Sequence, residues 1–295
     1  MKNKYLIKYY LVLKYLPFLL FGNKPKVLSF DENIEQLKKK KSLARFGDGE
    51  IRMVLSQNEQ IGFQTKNVKL TQRLQEVIKS NTPNLLIGLP DTFGLNLNFN
   101  LDSQIFWLGF NTVYAKKITK FIDLPNNVSY GDGQLTRFYM AFKDKTDIGY
   151  KIKRFKEIWE NQQLLIVEGK DTKLGVGNDL FNNVKSIERI ICPSKNAFDK
   201  YDEIVSTVVN YAKDRLVLIA LGPTATVLAH DLSVLNFWAI DIGHIDIEYM
   251  WFKNKYSEKR EIEGKAVNEA KTNTEASTID IADEAYLKSI IVNID

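Results

Sequence analysis

The sequence predicts an α/β fold in which a mainly parallel sheet carries helices on both faces. Three observations point to it. Short apolar runs of about five or six residues alternate with longer stretches of helical periodicity, the pattern of βαβ units. One run, Val217-Leu218-Ile219-Ala220-Leu221, is apolar throughout, as expected of a strand covered on both faces. Polar or glycine-rich turns follow several runs, and an open α/β sheet binds its ligands at the carboxyl ends of strands.

The elements follow in chain order. Residues 1–26 form a basic amphipathic N-terminal segment and 27–295 the main domain. The segment holds Lys2, Lys4, Lys8, Lys14, Lys24 and Lys26 and no acid. Lys8 and Lys14 interrupt its apolar run too early for a membrane span. No small-residue cleavage site follows Phe21, so a secretory signal is not expected. The segment suits either an interfacial helix on a membrane or a helix docked on the protein's own core. Helices are predicted over 31–41, 51–55, 69–79, 105–121, 135–142, 148–160, 201–213 and 222–235, the last with its opening turn. Strands are predicted over 43–46, 84–89, 127–131, 163–168, 187–192, 215–221 and 237–242. From Lys253 to Thr278 the composition turns polar, and a last helix is expected over 281–291.

Composition narrows the chemistry. The chain has 295 residues, 44% hydrophobic and 26% charged, values of an ordinary globular protein able to bury a sizeable core. Its single cysteine, Cys192, excludes an intrachain disulfide framework or a multi-cysteine zinc site and sits in an apolar run. With only His230 and His244 present, a multi-histidine metal centre has little material. The net charge of +5 suits an anionic ligand or membrane surface and does not call for nucleic acid.

The turn Arg45-Phe-Gly-Asp-Gly-Glu50 carries two carboxylates where a strand hands over to a helix. Asp48 and Glu50 can hold a hard cation such as Mg²⁺ or Mn²⁺, which prefers oxygen ligands. Asp48 serves equally well as a helix cap, with Gly47 and Gly49 serving the turn. Gly222-Pro-Thr-Ala-Thr226 opens a helix; its amides and the hydroxyls of Thr224 and Thr226 suit a phosphate or an ordinary capped start. Pro193 to Phe198, with Ser194 and Asn196, suits a base or sugar ring, or a plain turn. The stretch from Val167 to Asp179 suits a loop over a ligand, or a solvated one. In Asp241-Ile-Gly-His-Ile-Asp-Ile-Glu-Tyr249, His244 is a candidate base, metal ligand or structural residue. Glu248 is a second candidate base, and Asp246 with Glu248 repeats the acid-x-acid pattern. Arg45 and Arg137 suit a diphosphate, which matches the guanidinium fork. At strand carboxyl ends these pieces would assemble a site for a metal-bound diphosphate.

These stretches, with Pro193-Ser-Lys-Asn-Ala197 and Gly264-Lys-Ala-Val-Asn-Glu269, resemble the bacterial GT-D-type glycosyltransferases over about Ser42 to Glu269. The resemblance implies a Rossmann-like fold, a UDP-sugar donor, a divalent metal and an Asp-x-Glu metal motif, in enzymes that build glycans on surface adhesins or polysaccharides. Carried over, the motif falls on Asp48 and Glu50, with Asp246 and Glu248 as a second possible pair. The expected activity is therefore hexose transfer from a UDP-sugar to a lipid-linked or protein-linked glycan, with inversion. Arg45, Gly47, Arg137, Ser194, Asn196, Gly222, Thr224 and Thr226 would bind the donor. Asp48, Glu50 and Asp246 would serve the metal, and His244 or Glu248 would activate the acceptor. The expected location is cytoplasmic, with residues 1–26 able to reach the inner face of the membrane. A nicotinamide oxidoreductase is disfavoured because no strand ends in the dinucleotide fingerprint. A non-catalytic nucleotide-binding or scaffold component of a polysaccharide assembly is the alternative.

Overall fold

The computed structural model describes residues 2–56, 62, 64–124, 128–265 and 284–294. In chain order its elements are α1 (Lys2–Phe21), β1 (Lys26–Val27), α2 (Phe30–Lys38), β2 (Ser42–Arg45), α3 (Asp48–Leu55), α4 (Val68–Val77) and β3 (Leu85–Leu89). There follow α5 (Leu101–Ile122), β4 (Ser129–Asp132), α6 (Ile148–Trp159), β5 (Gln163–Gly169), β6 (Ser186–Cys192), α7 (Tyr201–Tyr211) and β7 (Leu216–Ala220). The last are α8 (Pro223–Val234), β8 (Trp238–Asp241), α9 (Ile245–Lys253), α10 (Glu284–Ser289) and β9 (Ile290–Asn293).

The nine described strands form one sheet in the order β1-β4-β3-β2-β8-β7-β5-β6-β9, and every pairing is parallel. Alternation along each strand feeds two cores, because successive side chains of a strand point to opposite faces. Leu165, Val167, Val217 and Ile219 join one core with Ile51, Leu74, Leu108 and Leu228 from α3, α4, α5 and α8. Leu164, Ile166, Leu216 and Leu218 join the other with Ile34, Phe155 and Trp251 from α2, α6 and α9. Short polar side chains begin the helices. Ser29 and Glu32 form a reciprocal capping box at α2, and Asn67 and Asn100 accept amides at the starts of α4 and α5.

The fold class stands as expected, and two local expectations do not. Residues 135–142 form turns rather than a helix. Amides here go elsewhere: Asp132 accepts the N–H of Gln134, just before the stretch, at 2.7 Å, and Glu248 accepts those of Tyr139 and Met140 at 2.8 Å each. Side chains thus satisfy donors that a helix would bond internally. The expected last helix stops at Ser289, after which Ile290–Asn293 adds to the free edge of β6; β-branched residues favour that outcome. Residues 281–283 of that helix, and 266–278 of the polar stretch, lie outside the described residues. Finally, α1 rests on α5 through Leu11, Tyr15 and their neighbours, with Tyr15 buried. Among the described residues no helix is long and apolar enough to cross a membrane.

The first half of the chain supplies β1 to β4 and the second β5 to β9. They meet where β2 pairs with β8, at Leu43 opposite Ile240. A strand flanked by partners from opposite ends of the chain leaves a crevice at its carboxyl end, because the connections on either side lead away from one another.

Candidate active site

A crevice of about 1290 Å³ lies over that junction. Its walls come from the segments following six strands, with Asn100, Leu101 and Trp107 after β3. Gly47, Asp48 and Glu50 follow β2, Gly133, Gln134 and Arg137 follow β4, and Thr172 and Leu174 follow β5. Gly222 follows β7, and His244, Asp246 and Glu248 follow β8. Arg45 and Asp241, the last residues of β2 and β8, form the floor. A second cavity, about 700 Å³, lies between α6 and α9, but its charges are paired with one another: Lys156 with Asp179 and Lys38 with Glu157.

Arg45 holds the junction together. Its Nε donates to the Asp241 carbonyl at 2.8 Å and its Nη2 to the Asp241 carboxylate at 2.9 Å. Its Nη1 donates to Thr136 Oγ1 at 2.8 Å and to the Gly133 carbonyl at 3.2 Å. The diphosphate role expected of Arg45 therefore gives way to a structural one, since its donors are already directed at protein acceptors. Burial pushes the Asp241 carboxyl up, and the Arg45 guanidinium opposes that shift. Gly243 is required beside it: its φ is +47°, and a Cβ there would fall 1.7 Å from Arg45 Nη2. Arg137, half-buried, lines the crevice on the β4 side.

The acidic turn is both cap and candidate ligand set. Asp48 begins α3 and pairs with Arg52, one helical turn on. Glu50 Oε2 accepts the Gly47 N–H at 3.0 Å. Burial, with Asp241 and Asp48 close by, raises the Glu50 carboxyl to about 7. Nearby Asp132 is raised to about 6, again chiefly by burial. A hard cation fits this donor set. Two carboxylates supply part of an oxygen shell that substrate phosphates and water complete, and positive charge there would relieve the crowding around Glu50. Among the described residues, no three His, Cys, Asp or Glu side chains converge as a complete cage.

Asp246 does not fit that set. It is buried, accepts the Asn178 amide at 2.7 Å and pairs with Lys265. Glu248 is also engaged, holding the Tyr139 and Met140 amides. His244 lies at the start of α9, on the crevice wall. Four expected donor-binding residues lie off the lining. Asn196 accepts the amide and hydroxyl of Thr65 at 2.8 and 3.0 Å, and Thr226 donates to the Arg45 carbonyl at 2.8 Å. Thr224 is buried within α8, and Ser194 packs beside Gly169. Gly222, with φ at +53°, does reach the crevice. Sequence reasoning passed over Asp241 as a functional residue, although an acid ending an apolar strand was the available signal. Lys265 and Asn178 lie in stretches already singled out, but their pairing with Asp246 bridges separate parts of the chain.

A parallel sheet whose strand ends open on a crevice lined by an acidic turn and arginines is the arrangement of an α/β ligand-binding domain. The family model for the glycosyltransferase GT-D fold matches residues 43–270. The chain belongs to that family, as the resemblance carried by the Arg45–Glu50 turn and the stretches after β7 and β8 implies. It is 36% identical over 270 residues to a probable glycosyl transferase Gly of Streptococcus gordonii, covering 91% of this chain and 39% of that protein. It is 35% identical over 270 residues to glycosyltransferase GlyD of Streptococcus pneumoniae serotype 4, covering 91% and 32% respectively. The chain thus spans well under half the length of these curated relatives. A solved structure described as a new glycosyltransferase from Streptococcus sanguinis superposes with TM-score 0.84 at 36% identity, over 92% of this chain and 100% of that one. Another, of a conserved domain with a distinct glycosyltransferase fold, gives TM-score 0.83 at 33% identity, over 99% and 100%.

Proposed function

We propose that this glycosyltransferase moves a hexose from a UDP-sugar to a hydroxyl of a glycan acceptor, with inversion, in surface polysaccharide or glycoprotein synthesis. The observation that carries the reading is that the Asp48–Glu50 turn and Arg137 line one crevice at the strand ends. Asp48 and Glu50 would hold Mn²⁺ or Mg²⁺, which neutralises negative charge developing on a departing diphosphate. Arg137 supplies a fixed positive charge toward the same oxygens. The Gly222 turn lets the donor approach the start of α8, where amide dipoles favour an anion.

His244 is the residue we assign to accept the acceptor hydroxyl's proton, since an imidazole exchanges protons near neutral pH. Glu248 is given a different task, keeping the turn that bears Arg137 in place. Attack by the hydroxyl on the face opposite UDP would invert the anomeric carbon. Incubation with a panel of UDP-hexoses and NMR of the product tests this reading. Transfer or hydrolysis with inverted configuration is expected. Retention of configuration, or activity only with another nucleotide's sugars, would contradict it. His244→Ala is expected to lower kcat by about 10²–10⁴-fold, while Glu248→Gln stays within about tenfold of wild type, as suits an acceptor of backbone hydrogen bonds.

A further inference from the structure

We propose that the outward face of α1 lies on an anionic lipid surface and seats the mouth of the crevice there. The apolar side chains of α1 fall on two stripes. Leu11, Val12, Tyr15, Phe18 and Leu19 share one side and pack into the core under α5, and the Tyr15 hydroxyl donates to the Phe93 carbonyl at 3.1 Å. Leu6, Tyr9, Tyr10, Leu13 and Leu20 share the other side and are 50–68% exposed. A helix that is apolar all round is ordinarily covered all round, so the second stripe is a surface awaiting a partner.

Charge identifies that partner. Six lysines and no acid occur before Asp31. Lys14 lies over the Tyr10 ring at 4.8 Å, and Lys24 donates to the Leu19 carbonyl at the end of the helix. The exposed apolar and aromatic side chains, with Lys14 beside them and no acid on the helix itself, suit the headgroup region of an anionic bilayer, where apolar insertion and electrostatic attraction act together. A second copy would bring like charge against like. Lys8 and Lys14 keep the helix from spanning the bilayer, so it lies along the surface.

The crevice reaches the same helix from its α5 side. Lys4 of α1 and Asp102 and Phe106 of α5 are among its lining residues, and Lys4 pairs with Asp102 at 2.6 Å. A chain seated by α1 would present that end of the crevice to glycans carried on a lipid anchor. This last step rests on the glycosyltransferase reading of the crevice, whereas the docking rests on α1 alone.

Flotation of the full chain tests the docking, using vesicles of phosphatidylcholine alone or with about one third phosphatidylglycerol. UDP binding and sedimentation velocity are read on the same samples. Wild type is expected to float with the anionic vesicles, less with neutral ones and less at high salt, where screening is stronger. The triple variant Leu6→Ser/Tyr9→Ser/Leu13→Ser is expected to lose about tenfold or more in partitioning, with wild-type circular dichroism and UDP affinity. Three results would overturn the proposal: wild type staying at the bottom of the gradient, the variant floating equally well, or a wild-type dimer that the same substitutions abolish. Absence of UDP binding in both proteins bears on the donor reading separately and leaves the flotation result to decide the docking.

Discussion

Glu50 is the residue at which protonation, stability and the proposed metal binding meet. Its carboxyl is raised from 4.5 to about 7 by burial and by neighbouring Asp241 and Asp48. An unfolded chain ionises this group from about pH 4.5 upward, while the folded chain keeps the proton until about pH 7. The folded state therefore binds more protons across that window. The stability from this group is complete below it and is lost as pH rises through it. Without metal, Glu50→Gln is expected to raise the urea midpoint relative to wild type at about pH 8 and to change it little at about pH 5. With Mn²⁺ the wild type gains at the higher pH and the variant does not, and near neutral pH the binding releases a proton from Glu50. Calorimetry in buffers of different ionisation enthalpy reads that proton directly. The turn itself was legible in the sequence, because a strand, two glycines, two acids and a helix follow one another within a few residues. The role of Arg45 was not, since Asp241 lies 196 positions away. The engagement of Glu248 was hidden likewise, with its partners 108 and 109 residues distant.

At the scale of elements, the segments that end at the crevice are held by side chains more than by helix propensity. The turns after β4 illustrate this: a local apolar pattern suggests a helix over 135–142, and the long-range acceptor Glu248 of α9, with the nearby carboxylate of Asp132, overrides it. The same holds for β9, whose apolar pattern reads equally as helix until the free edge of β6 is known. By contrast, β7 and β3 were legible because each is apolar along its whole length and both their faces are covered. The turn after β8 depends on one glycine. Gly243→Ala would force a side chain into left-handed backbone and against Arg45. It is expected to cost about 2 kcal/mol or more, from backbone strain and the disturbed contact together. Denaturant unfolding measures that loss, and Gly149→Ala is the control, because nothing lies within 4 Å of its added Cβ.

Across the whole molecule, two buried ion pairs fasten the sheet where the crevice needs it rigid. Arg45 and Asp241 join the two halves of the chain at β2 and β8. Glu168 and Arg189 join β5 to β6, and both also bond the Leu174 backbone: Glu168 accepts its amide at 2.6 Å, and Arg189 donates to its carbonyl at 2.9 Å. Leu174 lines the crevice, so this second pair fixes a wall of the site. Arg189→Met leaves Glu168 buried without its partner and is expected to destabilise the fold by about 3–5 kcal/mol. At a temperature where the variant remains folded, it is expected to raise the donor KM more than it lowers kcat, which steady-state kinetics would show. The parallel α/β architecture was available from the alternation of elements alone, and membership of the GT-D family from the ordered set of turns. Which carboxylates face the crevice and which are bound by the protein itself was not, because that division depends on contacts between distant strands.

The central claim is that the Asp48–Glu50 turn binds the donor nucleotide through a divalent cation. Calorimetric titration of UDP with Mn²⁺ present, then with EDTA, on wild type and Asp48→Ala, tests it most directly. The predicted result is binding by wild type that EDTA abolishes and that Asp48→Ala lacks under both conditions. Binding of UDP that is unchanged by EDTA and by the substitution would contradict the claim.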